Sequence, residues 1–358
     1  MESIKNTNFN LKDRITSPDF DSEHGPEYVD NLVEDFLNFY RSLEYIEINP
    51  VPVTSDIDTT VRFIGSHISV FKPIFLGGLK ENIMMSQPCI RTRNINNLFK
   101  DTVIPAWGSS FQSIGSMSPS KTTRRSAVEM FNFLKSIGIE NSEIVLRVST
   151  QDPDLLEICR ELLPENQIEI DNFPERYYRH KIGIDRVWGR NFNIALRHKE
   201  DQSLSDIGNI IVIENEEKEF GTETALGTST ILRQLYGLEH IGVVDRIFDT
   251  DFGSKLIYKF EDVIRTSLLI LNEGVLPKAS TNQERILRTY IRAIVYLAQK
   301  MNLDIDTLLE KINEYKTKSN ILNISIDEFK SHLDQANKDI LDLSQESNEL
   351  SEIRNALK

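Results

Sequence analysis

The apolar positions change period several times along the chain, and each change predicts an element. Over residues 29–43, Leu32, Val33, Phe36, Leu37, Phe39, Tyr40 and Leu43 recur at helical spacing among acids, the pattern of an amphipathic helix. Residues 45–52 alternate as a strand, and residues 56–60 read as a turn before the short apolar run 61–63. Between Ser86 and Met117, alternation around Cys89 and Ile90 gives way to an Asn-rich polar segment and resumes with Trp107, Phe111 and Ile114. That sequence predicts strand, long loop, strand. A helix follows over residues 123–134 and a strand over 142–148. Asp152-Pro153-Asp154 caps a helix through Leu155, Ile158, Cys159 and Leu162. Residues 206–213 form a β-branched apolar strand interrupted by one amide, Asn209. Residues 259–300 are strongly helical in pattern, and a last helix from about Ile326 carries Phe329, Leu333, Ala336, Ile340, Leu343 and Leu350 in a near-heptad stripe. Such a stripe packs on its own domain or forms a dimer contact with a partner chain, and the oligomeric state stays open.

Composition narrows the class. At 358 residues and 39% hydrophobic, the chain holds a sizeable core and is expected to divide into a polar lead-in (1–28) and two domains (29–245 and 246–358). A formal net charge of −14 argues against a general nucleic-acid binder and leaves room only for a local basic patch. The two cysteines, Cys89 and Cys159, make no disulfide framework, which fits a reducing, cytoplasmic setting. There is no long uncharged apolar run and no leader-like N-terminus, so neither a membrane span nor a signal peptide is expected. The six histidines are scattered without metal-ligand spacing, so no protein-held metal is expected.

Several residues carry possible chemistry by themselves. Arg91, at the end of the first strand of the 86–117 stretch, offers a planar fork suited to two phosphate oxygens. Arg176, Tyr177, Tyr178, Arg179, His180, Lys181, Arg186, Trp188 and Arg190 form a basic-aromatic run of the kind that stacks bases and grips phosphates. Asn209 needs a partner for its amide, either a ligand or a hydrogen bond within the sheet.

Gln87-Pro88-Cys89-Ile90-Arg91 and Phe111-Gln112-Ser113-Ile114-Gly115-Ser116-Met117-Ser118 resemble the two ends of the second signature motif of class II aminoacyl-tRNA synthetases, in the form used by alanyl-tRNA synthetases. The resemblance implies that Arg91 holds the ATP α-phosphate and that Phe111, Gln112 and Ile114 frame the adenine, Gln112 standing where the family has Glu. Phe36-Leu37, Val51-Pro52, Asp58-Thr59-Thr60, Phe63 and Phe71-Lys72-Pro73-Ile74-Phe75-Leu76-Gly77 are similar to the family's opening. By that register Lys72 stabilises charge on phosphate; otherwise it is a solvated Lys ahead of Pro. Gly183 and residues 189–194 fit a glycine-rich active-site segment loosely, with His180 at the position of a pocket Trp. Asn209 inherits a contact to the bound amino acid. Residues 223–231 resemble the third motif. There Glu223 replaces the Asp that anchors the substrate ammonium, Gly227 keeps its place beside ATP, and Thr230 replaces the Arg that binds the γ-phosphate. Arg233, about one helical turn further on, is the available substitute. Arg288 and Arg292 match arginines that face the tRNA acceptor stem.

The resemblance, covering roughly residues 34–309, implies an α+β fold: an antiparallel class II sheet flanked by helices, then an all-helical domain similar to a tRNA-recognition domain. It implies ATP-dependent activation of an amino acid as its adenylate, with ATP and Mg2+ required and tRNA, a carrier protein or a small molecule as acceptor. Gln112 and Thr230 point to an alternative, a non-catalytic paralogue that binds an amino acid or nucleotide. The family's editing and C-terminal dimerisation domains fall outside the matched stretch, so hydrolysis of mischarged product is not expected.

Overall fold

A computed structural model describes residues 20–249, 254–319, 321 and 323–356, with side chains up to residue 342 in the last stretch. Most of the polar lead-in, residues 1–19, lies outside the described residues. The chain divides into two compact units, Met1–Cys89 with Phe111–Asp245, and Ile90–Ser110 with Arg246–Lys358.

The first unit opens on helix α1 (Gly25–Ser42), which begins upstream of its apolar spacing. Pro26 suits the first turn, where no N–H is needed, and an ideal Cβ at Gly25 would lie 1.8 Å from the Val244 carbonyl oxygen, so only glycine fits. Strands β1 (Ile46–Glu47), β2 (Ile83–Ile90), β3 (Ser110–Ser118), β4 (Ile144–Val148), β5 (Ile168–Ile170), β6 (Arg179–Lys181), β7 (Trp188–Arg197), β8 (Leu204–Glu214) and β9 (Glu219–Gly227) form one nine-stranded sheet. Its order is β1-β2-β3-β9-β8-β7-β4-β5, with β6 paired to β7. From β3 through β9, β8 and β7 to β4 the neighbours are antiparallel, and the outer pairs β1–β2 and β4–β5 are parallel.

Helices cover both faces, which is why β8 reads as an almost unbroken apolar run. One face presents Ile114, Phe192, Ile210, Val212 and Leu226 to the larger core. There they join α1, α3 (Thr123–Ser136), α4 (Pro153–Leu162) and α5 (Thr228–Tyr236). The other face presents Met117, Ile211 and Ile213 to a smaller core with Ile68 and Phe71 of α2 (His67–Leu76).

Three local expectations are corrected. Of residues 45–52 only Ile46–Glu47 form a strand. Pro50 and Pro52 lack the N–H a ladder needs, and Val51 pairs instead with the Gln87 side chain, donating to Oε1 at 3.0 Å and accepting from Nε2 at 2.8 Å. Trp107 precedes β3 rather than belonging to it. Asp152 stands at the N-cap of α4 without capping it; its carboxylate accepts from Arg179 and Arg190.

In the second unit the helical run breaks into α6 (Leu256–Asn272) and α7 (Asn282–Lys300), separated where Gly274 takes φ +86 and restarted by a Thr281–Glu284 capping box. Helices α8 (Ile305–Lys318) and α9 (Ile326–Ala356) follow. In the described part of the α9 stripe, Phe329, Leu333 and Ala336 are buried within their own unit and Ile340 is half-buried; the side chains of Leu343 and Leu350 lie outside the described residues. The α+β expectation holds: a predominantly antiparallel sheet with flanking helices, then a helical region.

Candidate active site

The face of the sheet packed against α2 carries a group of polar side chains. Register sets Asn193 opposite Asn209, Asn209 opposite Ala225, and Glu223 opposite both Ile211 and Met117. Directly opposed residues of antiparallel strands share a face, so Asn191, Asn193, Asn209 and Glu223 lie together, with diagonal neighbours about 7–8 Å apart. Glu223, Asn191 and Asn193 are buried at 1%, 0% and 6% exposure, while Asn209 is half-buried. Among the described residues, Asn191 Oδ1 and Asn193 Nδ2 meet no hydrogen-bond partner. Each such buried group costs about 1–3 kcal/mol, so a bound polar group that completes them is favoured.

His180 joins this face opposite Gly189. An ideal Cβ at Gly189 would lie 3.0 Å from the His180 Cβ and 2.6 Å from Ile211 Cγ2, so the glycine is what admits the imidazole. The fully buried His67 of α2 donates from Nε2 to the Ser113 carbonyl at 3.1 Å. Sequence reasoning missed His67, and it placed Asn191 and Asn193 within the 189–194 segment without singling them out. The alternation Asn191-Phe192-Asn193-Ile194 was a usable signal for the two amides, whereas nothing in the sequence marked His67.

Lys72 is neither solvated nor open. Its ammonium donates to Asp58 Oδ2 at 2.5 Å and Thr60 Oγ1 at 2.8 Å, with both ions buried. Asp58 also accepts from Ser69 Oγ at 2.7 Å and the Thr60 N–H at 3.1 Å. Burial alone would raise the Asp58 carboxyl, but the hydrogen bonds from Lys72, Thr60 and Ser69 outweigh it and hold the group below its ordinary value. Gly183, at φ +79, closes over the pair: a Cβ there would sit 2.4 Å from Thr60 Oγ1 and 3.2 Å from Lys72 Nζ.

The remaining sequence-predicted residues are distributed more widely. Arg91 is exposed, belongs to the second unit, and donates its N–H to the Ser109 carbonyl at 2.8 Å. Phe111 is half-buried and alternates onto the Asn209–Glu223 face; Gly227 ends β9 opposite Ser113. Ile114, expected beside adenine, is instead fully buried in the larger core on the opposite face, and Gln112 alternates with it, its amide held by Ser86 Oγ at 2.5 Å. Arg233, expected to replace the missing motif arginine, sits on α5, which packs on that same opposite face. Its guanidinium donates to Ser205 Oγ at 3.2 Å and Gln234 Oε1 at 2.7 Å.

Several of the basic side chains are paired with carboxylates. Arg179 pairs with Asp152, and Arg190 with Asp152, Asp154 and Glu214, which removes two charges from the basic-aromatic run. At the β4 end of the polar face, Arg147 pairs with Glu169 and Asp206, each at 2.7 Å, and lies over the Phe173 ring. Arg288 and Arg292 both donate to Asp339 Oδ2 of α9, at 2.6 and 2.7 Å, while Gln335 donates to Oδ1 at 3.0 Å. Hydrogen bonding from Arg288 holds the Asp339 carboxyl well below the usual range, assisted by Arg292 and Gln335 against burial. Among the described residues no group of three or more His, Cys, Asp or Glu side chains is placed to hold a metal ion, and no helix is long and apolar enough to cross a membrane.

The profile of a family described as tRNA synthetases class II (A) matches residues 31–261. An alanine–tRNA ligase of Wolbachia pipientis wMel is 22% identical over 315 residues, covering 79% of this chain and 36% of the relative. The chain thus spans little more than a third of that relative's length. Among solved structures, asparaginyl-tRNA synthetase of Entamoeba histolytica superposes with a TM-score of 0.40 at 10% identity, over 66% of this chain and 68% of that one. Apo histidyl-tRNA synthetase of S. aureus gives 0.39 at 12% identity, over 63% and 73%.

Proposed function

The chain belongs to the class II (A) tRNA synthetase family, with a catalytic core related to alanyl-tRNA synthetase, and from that membership we propose that it activates an amino acid with ATP. In this reaction the amino-acid carboxylate attacks the α-phosphorus, the bond to the leaving pyrophosphate breaks, and an aminoacyl adenylate forms. Residues 29–245 form the activating domain and residues 246–358 a helical domain of the tRNA-recognition type.

The observation that carries this reading is the shared face of Asn209 and Glu223. A buried carboxylate attracts an α-ammonium far more strongly than one in water, and the Asn209 amide oxygen accepts a second ammonium hydrogen. Asn191, Asn193 and His180 border the amino acid. Glu223 is one methylene longer than the family's Asp and displaces the ammonium outward, so alanine need not be the best ligand. Arg91 takes the α-phosphate and Phe111 the adenine. Lys72, neutralised by Asp58, serves to hold the wall of the site rather than to meet phosphate. Magnesium accompanies the phosphates of ATP. With Arg288 and Arg292 tied to Asp339, a carrier protein or small molecule is favoured over tRNA as acceptor.

A second reading, a non-catalytic paralogue that binds an amino acid or nucleotide, is favoured by Gln112, Thr230 and the commitment of Arg233 to Ser205. Pyrophosphate exchange against a panel of amino acids and their des-amino analogues tests both, with Glu223→Gln as control. Exchange with one amino acid, lost in the analogue and in the variant, is expected. Stabilisation by an amino acid without exchange establishes the second reading, and equal responses to both series remove Glu223 and Asn209 from the site.

A further inference from the structure

Helices α6 and α7 are built around the loop between β2 and β3. Lys259 of α6, only 2% exposed, donates to two loop carbonyls, Asn97 O at 2.9 Å and Lys100 O at 2.7 Å. One turn along, Asp262, at 5% exposure, accepts the Ser109 N–H at 2.7 Å, and Thr266 donates to Ser110 Oγ at 3.2 Å. From α7, Tyr296 and Lys300 both reach the Asp101 carboxylate, at 2.7 and 3.1 Å.

Burial pushes the Asp262 carboxyl up and the Lys259 ammonium down from their ordinary values, the direction in which each charged form is disfavoured. What they supply is direction: an ammonium aimed at two carbonyls and a carboxyl oxygen aimed at one amide fix the backbone in the middle of the loop and at its C-terminal end. Ser109 is the link. Its N–H goes to Asp262 and its carbonyl accepts the Arg91 N–H at 2.8 Å, so the Arg91 backbone is two hydrogen bonds from the Asp262 carboxylate.

We infer that Asp262 and Lys259 are positioning residues for Arg91: they hold the 91–110 loop in one conformation, and nucleotide binding through Arg91 depends on helix α6. The inference rests on the reading that Arg91 meets the α-phosphate. Its test uses the full chain in a Trp188→Phe background, which leaves Trp107, 54% exposed on the loop, as the sole tryptophan. Asp262→Val removes the acceptor, Asp262→Asn keeps an accepting oxygen, and Lys259→Met acts on the middle of the loop should Asp262→Val fail to fold. Amide exchange over residues 91–109, quenching of Trp107 and calorimetric ATP affinity are read together. Asp262→Val and Lys259→Met are expected to speed loop exchange and weaken ATP by about tenfold or more, with amino-acid binding unchanged, while Asp262→Asn stays near the parent. A merely structural role lowers the melting temperature but leaves loop exchange and ATP affinity at parental values, and that result overturns the inference. If the parent protein binds no ATP, the reading of Arg91 falls, and the loop exchange rates still decide whether Asp262 and Lys259 hold the loop.

Discussion

Replacing Asp58 by Ala should destabilise the first unit more than any surface change, because it strands a buried cation. Lys72 is 7% exposed, and the carboxylate it would lose also anchors Ser69 and Thr60. Breaking a buried ion pair from one side costs about 3–5 kcal/mol, since the remaining charge has no compensating partner. At about 2–4 °C per kcal/mol for a domain of this size, the melting temperature should fall by roughly 6–20 °C at pH 7. Differential scanning calorimetry measures the shift, and a urea midpoint with unchanged slope checks that compactness is preserved. Asp58→Leu combined with Lys72→Met should recover most of the loss, because neither charge is then buried alone. The pH dependence has a definite sign. The folded carboxyl titrates below its ordinary value of 3.8, so its contribution is complete above that value and is lost as pH falls through the lower, folded one. The gap between parent and Asp58→Ala should therefore narrow on acidification. A loss under about 1 kcal/mol at pH 7, typical of an exposed pair, would refute the reasoning, as would a double variant no more stable than Asp58→Ala.

Arg91→Ala should weaken calorimetric ATP binding by at least about tenfold, the loss expected for a charge-assisted phosphate contact of roughly 1.5–3 kcal/mol; an unchanged affinity removes Arg91 from the site. Asp339→Asn should release Arg288 and Arg292 from the oxygen they share, so that duplex RNA binds more tightly and the log–log salt slope steepens by about 1–2. Adding Arg288→Ala and Arg292→Ala should abolish that gain, and a parental slope in Asp339→Asn would show that the arginine pair only fastens α9.

The sequence by itself determined the elements and their class. Helical spacing placed α1 four residues from its observed start, the β-branched run marked β8, and the polar interruption between Cys89 and Phe111 marked the loop carrying Arg91. These signals are local, arising from the side-chain periods of helix and strand and from residues that cannot join a ladder. The ordered motif blocks carried the family and brought Asn209 and Glu223 into one register. What tertiary structure alone decided was which side chains remain available. Ile114 and Met117 lie three residues apart on one strand yet enter different cores, because sheet alternation sends them to opposite faces. Lys72 is silenced by Asp58, Arg233 is directed to Ser205, and Arg288 and Arg292 are captured by Asp339 from a different helix. An ion pair depends on two charges meeting within a few ångströms, and for residues far apart in the chain that distance is set by the packing of whole elements, which no local pattern of residues records.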